Sequence, residues 1–576
     1  LSEQVLDSWH MGMGDIDHSE ENTYHSGDNI DASEPGYVIL GPLGVQTTIA
    51  VAAVAAPAGY AEIGSALYLL WGRYIRELGA LDGTVTDTSD KDFGAGHAVT
   101  DAKFFNNKIL VALGNTEVFQ SRASGAAAGT YTSADAGLTA DYFTVTESFL
   151  WRADSDNSFT RAVSCPVASN PLTSASWSSE VDIGSGTGIG FTDLEAYGFQ
   201  VLIAKQDGVY ITNRLGLTPN ILDELKEYVN AANGRGIKKY SGNMYIPHLR
   251  GLYRYDGNNI QPVGLEKLNS HFHNNLGPIN GVYRALTSDG TWLYVAVWNG
   301  TDTYILRYKE QVSNQNLYGI WHAMAQWTSN QVTAMHVSGL TTSPSLWASS
   351  TTNALISRFF LPLSGRVALQ DSTYTYAASG NIYLGRYYMG SDTTTKVFTE
   401  VVIEGDNLLA ANETITLAYK TSAPVPWVST GFTSLAAVSS SPTTQSVGTS
   451  GQFLELSATL ARGATTTKTP VLRRVIIRAI QRTQYVRFIT CKVKVEMPTQ
   501  DFGRSVFPSG SRDTPQTTYS RLRALESGTS TLTLIDPWGV SRSVYLAGPI
   551  EVTPLEVAPD LEPEYVATLR LVQSPG

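Results

Sequence analysis

The residues best suited to chemistry lie near the start of the chain. "WHMGMGDIDHSEENTYHSGDNID" gathers His10, Asp15, Asp17, His18, Glu20, Glu21, His25, Asp28 and Asp31 within a short span. Carboxylate oxygens at this density suit Ca²⁺, and imidazoles suit a transition metal. The spacing fits no established loop, because Glu20 stands where a calcium-binding EF-hand loop requires glycine for its turn. A polar N-terminal arm is therefore expected, with no metal ligand assigned. His271 and His273 in "HFHNN" would share one face of an extended strand, but no HExxH pattern or third ligand accompanies them. Cys165 and Cys491 are too far apart in sequence for a CxxC knuckle and are expected to be small buried apolar residues.

The remaining motifs are expected to be turns. "GSGTGIG", Gly184 to Gly190, lacks the GxGxxG register and reads as a loop. "SDGTWLY", from Ser288 through Asp289 and Gly290, comes near the sialidase Asp-box, which is itself a structural turn, and it occurs once. Glycoside hydrolysis would need two placed carboxylates, and no telling pair stands out. No GxSxG, P-loop or CxxC is present. The reading assigns no catalytic, cofactor-binding or metal-binding residue and expects a protein that is not an enzyme. A net charge of −12 spread along 576 residues argues against nucleic-acid binding, which needs a basic face. No basic stretch precedes an apolar run at the start, so no secretory signal is expected. The uncharged run 35–61 is broken by Pro42, Pro57 and several glycines and reads as buried strands rather than a membrane span.

The elements that would position these residues are strands. Hydrophobic residues make 42 % of the chain and charged residues only 16 %, with 29 Tyr and 11 Trp, a balance that favours sheets. "FFNNKILVALGNTEVFQSR", "AYGFQVLIAKQDGVYITNR", "KYSGNMYIPHLRGLYRYDG" and "SDGTWLYVAVWNGTDTYILRY" share one template of polar turn, apolar strand, second turn and second strand. Looser copies occur near Gly64, Tyr142 and Gly339, and the centres recur at about 45 residues, the spacing of four-stranded propeller blades. Such a blade exposes two apolar faces that only neighbouring blades can cover, so the array must close on itself. The expectation is an all-β chain with a β-propeller of about seven blades over 36–380.

One interruption reads as a helix, an insertion at 218–233: Thr218 as N-cap, Pro219 at the first helical position, Gly234 past the end, and Ile221, Leu222, Leu225, Tyr228 and Val229 on one face. Beyond residue 380 the strands lengthen. Alternation at Thr399, Val401 and Ile403, and at Val475 and Ile477, predicts an antiparallel β-sandwich over 381–498. A Gly/Pro-bearing linker is expected at 499–518, and a small β module at 519–576 around the Asp536-Pro537-Trp538-Gly539 turn. The arm occupies 1–35, and its low apolar content suggests that it orders only against a neighbouring subunit.

"FTEVVIEGDNLLAANETITLAYKTSAPVPWVSTG" with "LRRVIIRAI" resembles the sandwich modules of minor tail proteins of tailed bacteriophages. "TLIDPWGVSRSVYLAGPIEVTPLE" with "EYVATLRLV" resembles their small terminal modules, and "VLDSWHMGMGD" resembles their opening arms. The likeness covers the last third of the chain and the arm, and it carries no catalytic residues. It implies a virion structural protein of the tail or tail tip, an extracellular particle component. Its expected partners are other tail proteins, copies of itself, and a host-surface glycan or protein. The alternatives are a glycan-binding, lectin-like propeller and a polysaccharide-degrading propeller enzyme.

Overall fold

The computed structural model describes residues 2–14, 22–49, 57–81, 85–155, 160–184, 189–212, 219–265, 279, 281–310, 319–351, 355–363, 367–390, 394–410, 412–422, 427–481, 488–495, 515–527, 532–535, 538–555 and 565–573. The chain is all-β, built from many small antiparallel sheets, with one α-helix, Pro515–Ala524, among the described residues. It divides into two compact units, Leu1–Gln481 and Arg482–Gly576.

Among the described residues of the first unit, seven sheets follow one another along the chain. Sheet one comprises Pro57–Ile63, Ala66–Trp71, Tyr74–Gly79 and Thr86–Asp92; sheet two comprises Asp101–Phe105, Lys108–Ala112, Gln120–Ala123 and Thr132–Ser133. Sheet three comprises Tyr142–Val145, Phe149–Ser155, Thr160–Pro166 and Val181–Asp182; sheet four has three strands, Phe191–Tyr197, Gln200–Lys205 and Gly208–Thr212. Sheet five comprises Lys238–Tyr240, Asn243–His248, Gly251–Tyr255 and Ile260–Pro262; sheet six comprises Val282–Ser288, Leu293–Trp298, Thr303–Lys309 and Ile320–Trp327. Sheet seven comprises Val332–Ser338, Ser345–Ser350 and Leu355–Phe360, and its fourth strand, Gly44–Thr48, comes from before sheet one.

The second strand of each sheet carries a buried apolar run because both of its faces are covered. Alternation with period two divides its side chains between the two neighbours. In sheet one, Leu67, Leu69 and Trp71 join Trp347 and Ile356 of sheet seven, while Tyr68 and Leu70 join Ile109 and Val111 of sheet two. The same division continues along the series: Leu110 and Ala112 meet Phe143 and Leu150, Trp151 and Ala153 meet Val201 and Ile203, and Leu202 and Ala204 meet Met244 and Ile246. Tyr245 then meets Leu293 and Val295, and Tyr294 and Ala296 meet Leu346 and Ala348. Seven apolar interfaces thus separate seven sheets, the last lying between sheets seven and one. That interface also carries the Thr333 hydroxyl donating to the Pro57 carbonyl at 3.1 Å and the His336 ring stacked on Tyr60.

Beside two two-stranded pairs, Gly114–Val118 with Thr139–Ala140 and Ile30–Asp31 with Ile39–Leu40, two larger antiparallel sheets lie in the first unit among the described residues. One orders Ser2–Leu6, Val471–Gln481, Lys396–Asp406 and Thr443–Gly451; the other orders Ser26–Asp28, Ser379–Tyr387, Leu454–Ala461, Thr414–Lys420 and Thr433–Ser434. Val401, Ile403, Val475 and Ile477 of the first share one core with Ile382, Leu384, Leu456 and Leu460 of the second. The second unit is a five-stranded sheet of Phe488–Val495, Tyr565–Gln573, Ser541–Leu546, Leu532–Ile535 and Glu551–Pro554 around Val544, Ile550, Ala567, Leu569 and Leu571.

Four expectations change. The segment at 1–35 is not a separate arm: Trp9, Met13, Tyr24 and Ile30 are buried in the core of their own chain, and its strands pair with both of the paired sheets. Sparse but well-spaced large side chains suffice, because each fills a gap left by strands far away in sequence. The insertion at 219–233 is not an α-helix. Asn220 bridges Tyr210 at the open edge of sheet four, Ile221 N–H donates to Val209 O, and only Asp223–Leu225 makes a 3₁₀ turn. Edge-strand carbonyls compete successfully for the N–H groups that a helix would use, while Thr218 lies outside the described residues. Phe488–Val495 pairs with Tyr565–Gln573 and therefore belongs to the second unit, not to a sandwich ending at residue 498. Helix Pro515–Ala524 begins inside the expected linker, whose residues 499–514 lie outside the described residues, as do Asp536 and Pro537 of the expected turn.

Candidate functional site

The first strands of successive sheets bring charged side chains together. Asp101 and Lys103 come from sheet two, Tyr142 from sheet three with Asp141 just before it, and Asp193 and Glu195 from sheet four. Arg235 precedes the first strand of sheet five, and Arg284 lies on that of sheet six. Alternation puts Asp101 with Lys103, and Asp193 with Glu195, on one face of their strands. Lys103 interacts electrostatically with Asp101, Glu195 and Asp193, so groups on sheets two and four share one field across sheet three. Tyr142 likewise senses Arg235, Asp193 and Asp101.

This enclosure shifts protonation. Burial pushes Asp193 up to about 7, opposed by Lys103 and aided by Glu195 and Asp101. Burial also raises Asp101, and it pushes Asp141 up to about 6 against hydrogen bonds from Ser155. Lys103 is held above its ordinary range, mainly by Asp101, at 3.4 Å. Burial lowers Arg284, with Arg235 adding repulsion. Such a site can exchange a proton near neutrality.

The hydrogen bonds give the same acids a second task. Asp193 accepts Leu194 N–H at 2.7 Å and, on its other oxygen, Gly236 N–H of the next sheet's approach at 2.8 Å. Asp101 accepts Ala102 N–H and, across to sheet three, Phe143 N–H, both at 2.8 Å. Asp141 accepts Ser155 N–H at 2.9 Å. These carboxylates therefore staple strands and sheets together. A signal for them exists in the sequence: "DAKFFNN", "DYFTVTES" and "DLEAYGF" place an aspartate five or six residues ahead of the first turn of three consecutive repeats. Reading each repeat for its apolar core passes over that signal.

The candidates from the opening segment are dispersed. His10 Nδ1 pairs with Ser8 Oγ at 2.7 Å, buried His25 packs edge-on against Trp427, and Asp28 accepts from Asn381 Nδ2 at 3.2 Å. Asp31 holds Arg307 in a buried two-point contact of 2.5 and 3.1 Å. Asp15, Asp17, His18, Glu20 and Glu21 lie outside the described residues, as do His271 and His273. Among the described residues no group of three or more His, Cys, Asp or Glu side chains is placed to hold a metal ion. Asp289 of "SDGTWLY" closes its own turn, accepting Thr291 N–H, Trp292 N–H and Tyr294 O–H at 2.7 to 2.8 Å. Cys165 is buried, Cys491 is partly buried, and both are free thiols.

Exposed apolar side chains occur in or beside turns of sheets two to four. Phe104 is 45 % exposed, Val145 37 %, Val167 41 %, and Phe199, in the first turn of sheet four, 87 %.

No family model and no curated protein matches this chain. Among solved structures it is similar to a catalytically inactive virginiamycin B lyase from Staphylococcus aureus with quinupristin, at 11 % identity and a TM-score of 0.41, over 56 % of this chain and 99 % of that one. It is also similar to the Myceliophteria thermophila Cps50 (Swd1) beta-propeller domain, at 8 % identity and a TM-score of 0.37, over 55 % of this chain and 100 % of that one. The Neurospora crassa Pan2 WD40 domain gives 9 % identity and 0.37, over 54 % and 90 % of the two chains. Likenesses this distant say nothing about activity or partners.

Proposed function

We propose that this chain is a non-enzymatic structural protein of a tailed-bacteriophage virion, a minor tail or tail-tip component. In this reading the seven sheets are the blades of a closed β-propeller, the two paired sheets are a β-sandwich, and the second unit is a terminal module. The observation that carries the proposal is the path of the first 48 residues. They contribute an edge strand to each of the paired sheets, fasten to sheet six through Asp31 and Arg307, and supply the last strand of sheet seven. An element fastened to several sheets of a body resists being pulled out of any of them, which suits a subunit that carries force. The resemblance of the last third to tail-protein modules supplies the virion context. Phe104, Val145, Val167 and Phe199 offer a contact face for neighbouring tail proteins or the host surface. Mass spectrometry and antibody-gold labelling of purified particles test the assignment. The chain should be present at the tail; its absence from particles would overturn the reading.

One observation favours a second reading, a polysaccharide-degrading enzyme. The acids Asp101, Asp193 and Glu195 gathered with Tyr142, Arg235 and Arg284 are the kind of group such an enzyme would use. The engagement of both Asp193 oxygens by backbone N–H groups weighs against it. Release of reducing ends from host glycans, lost in Glu195→Gln, would favour the enzyme.

A further inference from the structure

The first strands of sheets one, four, six and seven each carry one extra residue opposite their second strand: Ala58, Thr192, Arg284 and Thr333. A bulge of this kind re-aims a side chain. In sheets four and seven the extra residue is a threonine whose hydroxyl donates to a carbonyl at the entry to the next sheet. Thr192 meets Asn233 O at 2.6 Å, and Thr333 meets Pro57 O at 3.1 Å. In sheet six the same position holds an arginine. Its neighbours occupy opposite interfaces, Tyr283 in the core with Tyr245 of sheet five and Ala285 in the core with Leu346 of sheet seven, so Arg284 belongs to neither.

Arg235 stands beside it. A Cβ on Gly236 would lie 3.6 Å from Leu286 N and 3.8 Å from Ala285 Cα, so the chain next to one arginine packs on the chain next to the other. The loop that carries Arg235 is pinned: Gly234 N–H donates to Pro247 O at 2.6 Å, Gly236 N–H donates to Asp193 at 2.8 Å, and the buried Asn233 amide donates to the Gln206 and Tyr228 carbonyls. The two like charges repel, and this adds to the burial that lowers Arg284. Among the described residues neither guanidinium has a hydrogen-bond or ion-pair partner, although both side chains are partly buried. Only Arg284 Nε is sealed from solvent, so the terminal nitrogens of both remain within reach of a ligand.

Elsewhere the chain supplies a carboxylate for its enclosed arginines: Asp31 for Arg307, Asp90 for Arg122 and Glu455 for Arg386. Here the nearby acids are engaged, Asp193 by two backbone N–H groups and Asp101 by two more and Lys103. We propose that Arg235 and Arg284 bind an oxyanion, the carboxylate or phosphate end of a small ligand. The planar guanidinium fork matches two oxygens of such a group, and an anion between the two forks cancels their repulsion. Asp101, Asp193 and Glu195 on the neighbouring first strands oppose further negative charge, so the rest of the ligand is neutral or cationic. The inference needs neither the virion assignment nor any turnover of the ligand.

The test titrates the full chain with inorganic phosphate, sodium acetate and D-glucuronate, against sodium chloride of matched ionic strength, by isothermal titration calorimetry and by melting temperature. At least one oxyanion should bind saturably and raise the melting temperature, and chloride should do neither. Arg235→Gln and Arg284→Gln should each weaken binding about tenfold or more, the value of a charge-assisted hydrogen bond. Arg284→Lys, which keeps the charge and loses the fork, should weaken it less than Arg284→Gln. Tighter binding of phosphate identifies a phosphoryl ligand, and tighter binding of acetate or glucuronate a carboxylate. If no oxyanion binds saturably, or if the double variant Arg235→Gln/Arg284→Gln binds as tightly as the wild type, the inference is overturned. If both Gln variants melt well below the wild type in chloride alone, the arginines are structural and the inference also falls.

Discussion

The buried pair Asp31–Arg307 is the sharpest point at which the role of the opening segment can be tested. Both side chains are under one-tenth exposed, and the guanidinium meets the carboxylate at two points, 2.5 and 3.1 Å apart. Asp31→Ala leaves Arg307 charged, buried and without its counterion. Removing one partner of such a pair costs about 3–5 kcal/mol. Unfolding entropy runs at about 2.1 cal/mol/K per residue, so a cooperative unit of the size of Leu1–Gln481 loses about 1 kcal/mol per degree. The expected fall in melting temperature is therefore about 3–5 °C. Asp31→Leu combined with Arg307→Met should recover most of it, because an apolar pair of similar volume no longer needs a partner. The pH dependence has a definite sign. Arg307 holds the Asp31 carboxyl well below its ordinary range, so this contribution is present above pH ~4 and is lost as pH falls toward the depressed folded value. Differential scanning calorimetry of wild type, both single variants and the double variant, at pH 7 and pH 3, is the assay. A loss under about 1 °C for Asp31→Ala, or a double variant no better than the sum of the singles, would refute the claim that this contact locks the segment onto sheet six.

Three other outcomes are expected. Asp193, Asp141 and Asp28 are all raised by burial, to about 7, 6 and 6, so their contribution is largest at low pH and is lost as pH rises through that range. Melting temperatures should accordingly decline between pH 5 and pH 8, and a flat profile would contradict the enclosure of the first-strand acids. Glu455 is buried with Arg386 at 3.1 Å, Lys420 at 2.9 Å and Trp427 Nε1 at 2.7 Å, so Glu455→Ala should cost about 3–5 kcal/mol by denaturant titration. Gly12 holds φ +80° with the Trp321 carbonyl against it, and Gly12→Ala should destabilise by at least ~1–3 kcal/mol, measured in the same way.

Much of the architecture was legible in the chain itself. Runs such as Leu293 to Val297 and Leu67 to Trp71 announce strands because apolar residues dominate where both faces of a sheet are covered. Their recurrence shows that one unit is repeated, and the longer alternation at Val401 and Ile403 marks a different kind of sheet. These signals are local: period and composition act over a few residues, where sequence and structure coincide. Partnership was not local. That Gly44–Thr48 completes the sheet ending at Phe360, that Asp31 meets Arg307, and that Phe488–Val495 pairs with Tyr565–Gln573 follow from contacts between segments tens to hundreds of residues apart. The sequence around Asn220 fits a helix on its own terms and lost that form to the open edge of sheet four. The gathering of the first-strand acids, and of Arg235 with Arg284, likewise exists only because separate strands converge, since burial and a shared field are properties of the folded chain and of no single stretch of it.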